Sequence, residues 1–349
     1  MDGIPLKYTG EVHPPNGGER NEKLNRQIYP YYPDRGLKEA VNLAIRLNRP
    51  LLLEGEPGCG KSDLARAVFY EFSKKAEKEK DETKKITWNY RLWNIQSTSK
   101  AQDGFYSYDY IGRLQAAQLA KVADIKDKGS NPAKPEDYIE WGALGYAFGG
   151  TDEEKSQNNG SEEKKSQNSR SIVLIDEIDK ASTDFPNDLL LALEDKRFKV
   201  KEVKGSKGVK GVDDRGWLIA DREAFPVIFI TSNQEKELPN AFLRRCLYYY
   251  IEFPDEEQLT KIIKGRFKNP PDEIVKTAIE RFLDLRSEMN DNEDEMAKKV
   301  STSELIDWFT ILLRESSPEE ALKKLDQEKL PYLSTLLKTR QGRIEYDEA

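Results

Sequence analysis

The chain has 349 residues, with 56 Lys and Arg against 63 Asp and Glu, so its formal net charge at pH 7 is −7. That length suggests about two domains, and the negative charge disfavours attraction of the whole surface to nucleic acid or anionic lipid, leaving room for a local basic channel. One histidine, His13, and two cysteines, Cys59 and Cys246, argue against zinc sites, histidine-based triads and a disulfide framework, and suit a reducing, cytoplasmic setting.

Residues 1–33 are rich in Pro, Gly, Tyr and charge and read as an irregular N-terminal arm. No signal peptide is expected there, since the apolar core of one is missing. Asp34 is placed to cap a helix carried by Leu37, Ala40, Val41, Ala44, Ile45 and Leu47. Asn48-Arg49-Pro50 stops it. Leu51-Leu52-Leu53 predicts a short buried strand, Gly55 to Gly60 a glycine-rich loop, and Lys61 to about Lys75 a helix. A strand is predicted from Tyr90 to Gln96 and a helix from Ile111 to Val122. Residues 151–170 carry a near repeat of Glu-Glu-Lys-Ser-Gln-Asn with nothing to bury, which predicts a disordered, solvated insertion.

Ile172 to Ile175 is a continuous apolar run ending in acids, the pattern of a central parallel strand. A helix follows from Pro186 to Asp195, then a basic hairpin or loop from Phe198 to Trp217, and strands at Val227–Ile230 and Leu247–Phe253. From Asp255 the pattern is helical, at roughly 255–267, 271–289, 302–315 and 318–340. Strands alternating with helices, then helices alone, predict an α/β nucleotide-binding domain over 34–254 and a small all-helical domain over 255–349. No apolar run reaches the ~18 residues of a membrane helix, so no membrane partner is expected.

Four segments carry chemistry. Gly55-Glu56-Pro57-Gly58-Cys59-Gly60-Lys61-Ser62 fits G-x-x-x-x-G-K-[ST] between a strand and a helix. The glycines permit positive φ, so successive backbone N–H groups surround phosphates. Lys61 is expected on the β and γ phosphates and the Ser62 hydroxyl on Mg²⁺. Read blandly, the same run is a glycine turn before a solvated lysine. The strand ending in Asp176-Glu177 delivers two carboxylates where open α/β sheets place ligands. Asp176 would hold Mg²⁺ and Glu177 polarise water; the alternative is an acidic helix start. Asp179 reads as a helix N-terminal residue. Asn233 ends the strand begun at Val227 and either orients water or sits in a polar turn. Arg244 and Arg245 end a short helix, where they either neutralise a phosphoryl group or complement the helix dipole.

With these motifs in view the chain resembles an AAA+ ATPase of the MoxR group over roughly residues 34–315. The resemblance is carried by Ala40 to Ala44, Arg49 through Gly58, Ser97-Thr98-Ser99-Lys100-Ala101-Gln102-Asp103 and Ile139-Glu140-Trp141-Gly142-Ala143-Leu144. It implies a P-loop NTPase fold with a central parallel sheet flanked by helices and a helical lid. ATP and Mg²⁺ are the implied cofactors. Asn233 matches the sensor-1 position, and Arg245 falls on the arginine-finger position with Arg244 beside it. Such fingers act on the adjacent subunit, so a homo-oligomeric ring, usually a hexamer, is implied, remodelling a protein client in a chaperone-like way. Residues 99–113 would be a helix-2 insertion, and Phe105, Tyr106, Tyr108 and Tyr110 either bind a partner or pack beneath it. Ser301-Thr302-Ser303-Glu304 forms a capping box where the group carries a sensor-2 arginine, so no such arginine is assigned. Two other readings stay open. One is a nucleotide-gated switch or scaffold in a bacterial defence system. The other is a nucleic-acid-translocating NTPase related to restriction GTPases, which the net charge disfavours but Lys204, Lys207 and Lys210 support.

Overall fold

The computed structural model describes residues 6–81, 85–122, 134–150, 169–203, 211–291 and 299–338, with 343 and 346. Residues 151–168 of the insertion predicted at 151–170, and Lys204, Lys207 and Lys210, lie outside the described residues, while Ser169 and Arg170, predicted within it, are already strand. The chain divides into two compact units. One comprises Met1–Tyr8, Glu39–Leu53 and Phe72–Tyr249; the other comprises Thr9–Lys38, Glu54–Glu71 and Tyr250–Ala349.

Within the N-terminal segment, β1 (Glu19–Asn21) pairs antiparallel with β2 (Arg26–Ile28). Asn25 supplies the left-handed residue of the turn, with φ 48. Strands of three residues are too short for alternation to show in a sequence. The first helix, α1 (Arg35–Leu47), begins where the Asp34 carboxylate accepts from the Leu37 N–H at 2.9 Å. It ends at Asn48, whose φ of 50 is a left-handed stop. The strand β3 (Leu51–Gly55) has three fully buried leucines, as a central strand requires, and leads through the glycine-rich loop into α2 (Lys61–Glu77).

Then follow β4 (Thr87–Asn94), β5 (Tyr106–Tyr108), α3 (Tyr110–Val122), β6 (Ile139–Trp141), α4 (Ala143–Phe148) and β7 (Ser169–Asp176). The helix predicted from Pro186 is two pieces, α5 (Phe185–Asp188) and α6 (Leu190–Asp195). The Leu189 N–H bonds the Pro186 carbonyl three residues back, at 3.3 Å, which breaks the α-helical ladder. The basic segment opens and closes as an antiparallel pair, β8 (Arg197–Lys199) with β9 (Trp217–Ile219). After β10 (Val227–Ser232), α7 (Asn240–Leu243) and β11 (Leu247–Ile251) come four helices: α8 (Glu256–Arg266), α9 (Asp272–Asp291), α10 (Thr302–Arg314) and α11 (Pro318–Leu325).

Five strands form a central parallel sheet in the order β11-β3-β10-β7-β4, flanked by helices. β7 is in register with β10 (Ile230 opposite Ile175) and with β4 (Asn94 opposite Asp176). Ile172 to Ile175 and Phe229 to Ile230 are essentially unexposed, and of these Val173, Ile175 and Ile230 join Phe185, Leu189 and Phe198 in the core of the first unit. No helix among the described residues is long and apolar enough to cross a membrane.

The core of the second unit is built from α8 to α11 around Phe282, Trp308 and Phe309. The pattern predicting helix to residue 340 does not hold. α11 stops at Leu325, Pro331 cannot donate to a helical ladder, and Tyr332 takes φ 54. Leu330, Leu336 and Leu337 stay buried, so their periodicity records packing and not helix. The same unit fastens its N-terminal segment to α2 through Glu71. This fully buried carboxylate accepts from the Thr9 N–H, the Thr9 hydroxyl and the Gly10 N–H at 2.8–2.9 Å. Glu71→Ala leaves those donors without a partner and is expected to cost about 2–4 kcal/mol. Urea unfolding should show the loss as a lower midpoint at unchanged slope.

Candidate functional site

The loop between β3 and α2 is shaped by its glycines. Gly55 has φ 150, and a Cβ there would sit 2.5 Å from the Ile251 carbonyl oxygen and 2.9 Å from Cys59 Sγ. Gly58 and Gly60 also have positive φ, at 77° and 92°. Lys61 is buried, and its Nζ donates to the loop's own carbonyls at Gly55 (2.8 Å) and Glu56 (2.9 Å). Cys59 Sγ lies 3.9 Å from that ammonium. Burial pushes the Cys59 thiol up, more than Lys61 pulls it down. The thiol is therefore protonated at neutral pH, a small buried filler and not a nucleophile. A buried ammonium held by neutral carbonyls and beside a neutral thiol, in a loop of positive-φ glycines at a helix N-terminus, is a donor set that suits phosphate. Ser62 follows at the start of α2, half-buried.

In the other unit, the strand ends bring Asp176, Glu177 and Asn233 together. Thr231, on β10, is buried and connects the first two: its hydroxyl donates to Asp176 Oδ1 at 2.7 Å and accepts from the Glu177 N–H at 2.8 Å. Glu177 has φ 61, so the chain turns sharply there and lifts the carboxylate away from the strand direction. Asn233 Nδ2 lies 3.4 Å from Glu177 Oε1, while Lys180 pairs with Oε2. The Glu177 carboxylate in turn holds the Lys180 ammonium above its usual range.

Asp179 is more than a helix-start residue. It is 2% exposed, and its Oδ2 accepts from the N–H groups of Asn233 and Glu235, each at 2.9 Å, fixing the loop that presents Asn233. A sequence signal for it existed, since an acid three residues after Asp176 sits within the same motif. Thr231 is equally legible only as a polar residue ending an apolar strand.

Arg244 and Arg245 follow α7. Arg49 clamps both their carbonyls, bonding that of Arg245 at 3.1 Å. The Arg245 side chain is engaged within its own chain, with Nε to Glu194 Oε2 at 2.9 Å and a further bond to the Ala241 carbonyl. Arg244 is exposed. Of the aromatic cluster, Phe105 stacks on Phe198 at 4.8 Å and Tyr106 is buried, with its hydroxyl on Glu202 at 2.8 Å. Packing thus accounts for these two, while Tyr110 is 63% exposed and reaches the same Glu202.

In the unit that holds the glycine-rich loop, the capping box expected at Ser301 is formed: the Ser301 N–H donates to Glu304 Oε2 at 2.9 Å. What the sequence reading missed is Arg286 of α9. It sits among the buried residues of that helix and pairs with Glu56 of the loop at 2.6 Å. A lone arginine on an otherwise apolar helix face was the available signal.

Residues 50–246, more than half of the chain, match the AAA domain of the dynein-related subfamily. This supports the AAA+ part of the resemblance. No curated protein matches the chain. A solved structure described as the E. coli MS115-1 HORMA:CdnC:Trip13 complex is similar at 13% identity, over 85% of this chain and 79% of that one, with a TM-score of 0.40.

Proposed function

Since the chain belongs to the AAA domain family of the dynein-related subfamily, we propose that it binds and hydrolyses ATP with Mg²⁺ in a hexameric ring and uses the cycle to remodel a protein client, as a MoxR-type ATPase of the cytoplasm. The observation that carries this reading is the loop Gly55–Ser62, with left-handed glycines around a buried Lys61 ammonium. Bound MgATP supplies an activated γ-phosphoryl group. The chain's residues do the rest. Backbone N–H groups of the loop and Lys61 bind phosphate oxygens. Ser62 and Asp176 hold the metal, with Thr231 fixing the Asp176 carboxylate. Glu177 takes a proton from water, and Asn233 orients that water. Arg245 from a neighbouring subunit, with Arg244 beside it, neutralises the transferring group. Both cysteines are free and buried, which fits a reducing compartment.

The ring and the finger are tested together by mixing two inactive variants. Arg245→Ala is expected to lower turnover roughly a thousandfold, and Glu177→Gln to lower it by about 10²–10⁴-fold. If Arg245 serves the adjacent subunit, a mixture of the two regains turnover, because an intact base in one subunit meets an intact arginine from the next. A mixture as inactive as its components would count against action between subunits.

A further inference from the structure

Glu56 is held from both ends. Its backbone carbonyl accepts from Lys61 Nζ at 2.9 Å, and its carboxylate accepts from Arg286 at 2.6 Å. Arg286 is 8% exposed, and its guanidinium lies 3.5 Å from the centre of the Phe253 ring and also donates to the Val300 carbonyl. Val300 immediately precedes Ser301, the N-cap of α10. The start of α10 touches the loop a second time, at Gly58, where a Cβ would come within 3.0 Å of Ser303 Oγ and closer still to Ser301. The phosphate loop is thus joined to α9 through Arg286 and to α10 through Gly58.

Electrostatics gives this arrangement a function. Glu56 is a carboxylate inside a loop whose chemistry suits a polyanion, and its charge opposes the phosphates. A second cation, on another element, cancels that charge while leaving the Lys61 ammonium for the ligand. We propose that Arg286 is a positioning residue for nucleotide: by neutralising Glu56 it permits the loop to accept a triphosphate and ties the state of the loop to α9 and α10. The inference rests on the MgATP reading above. When Lys61 leaves the Glu56 carbonyl for a phosphate, Glu56 loses one of its two restraints, and Arg286 carries the change to Val300 and the first turn of α10.

The test is a rescue. Calorimetry with Mg-ATPγS compares the wild type, Arg286→Ala, Glu56→Gln and the double variant. Arg286→Ala leaves Glu56 uncompensated and should weaken binding roughly tenfold. Adding Glu56→Gln removes the uncompensated charge and should restore affinity to within roughly threefold of the wild type. A double variant as weak as Arg286→Ala overturns the proposal, since a side chain that only packs on Phe253 and Val300 is not rescued at Glu56. Should Arg286→Ala fail to fold, Glu56→Gln decides by hydrogen exchange. In the wild type Mg-ATPγS is expected to slow exchange across α9 and the first turn of α10, and in Glu56→Gln that response should be lost. Its persistence overturns the coupling. Absence of Mg-ATPγS binding by the wild type would instead refute the nucleotide reading itself.

Discussion

Lys61→Ala should lose MgATP affinity by about a hundredfold or more, which is roughly 2.8 kcal/mol at 1.4 kcal/mol per decade. The reason is local. In the free loop the ammonium is 7% exposed and is satisfied by two carbonyls of its own turn. Those neutral acceptors hold it where a phosphate oxygen, a charged and stronger acceptor, can displace them. Alanine removes both the charge and the internal brace. The loop then loses its bonds to Gly55 and Glu56 as well as its phosphate ligand. Calorimetry with Mg-ATPγS reads the affinity, and a thermal melt separates loss of ligand contact from loss of fold. Lys61→Ala binding MgATP as tightly as the wild type would refute the role given to this side chain.

Glu177→Gln should behave differently: nucleotide stays bound and turnover falls by about 10²–10⁴-fold, the usual contribution of a positioned general base. Glutamine keeps the size and the hydrogen-bonding reach toward Asn233, but cannot take a proton from water. The backbone argues for a clean effect, because the Glu177 N–H bonds Thr231 at 2.8 Å and does not depend on the side chain. Its one structural cost is the exposed pair with Lys180, whose partners are each about 40% exposed, and such pairs contribute little to stability. Single-turnover assays with radiolabelled ATP would separate binding from cleavage. A fall in affinity with kcat preserved would assign Glu177 to binding and leave the base elsewhere.

Contacts distant in sequence were the least legible. Residues 19–28 gave no sign of their hairpin because three-residue strands have no measurable period. The break at Leu189 and the stop at Leu325 depend on backbone bonds and on Pro331, while the apolar spacing runs on past both. The bonds that assemble the candidate site span long separations: Thr231 to Glu177 crosses 54 residues, and Arg286 to Glu56 crosses 230.

From the order of residues alone came the glycine-rich loop with Lys61 and Ser62, the apolar strand delivering Asp176 and Glu177, the cap at Asp34, the box at Ser301, and the succession of strands then helices. All are local: periods of two and 3.6 residues, a turn needing positive φ, a side chain bonding three residues away. Folding in three dimensions assigned the partners. It put Thr231 between Asp176 and Glu177, drew Asp179 onto the Asn233 loop, turned Lys61 onto its own carbonyls and brought Arg286 to Glu56. No local pattern specifies those pairs, because a buried charge takes whichever complementary group the packing of distant elements leaves within reach.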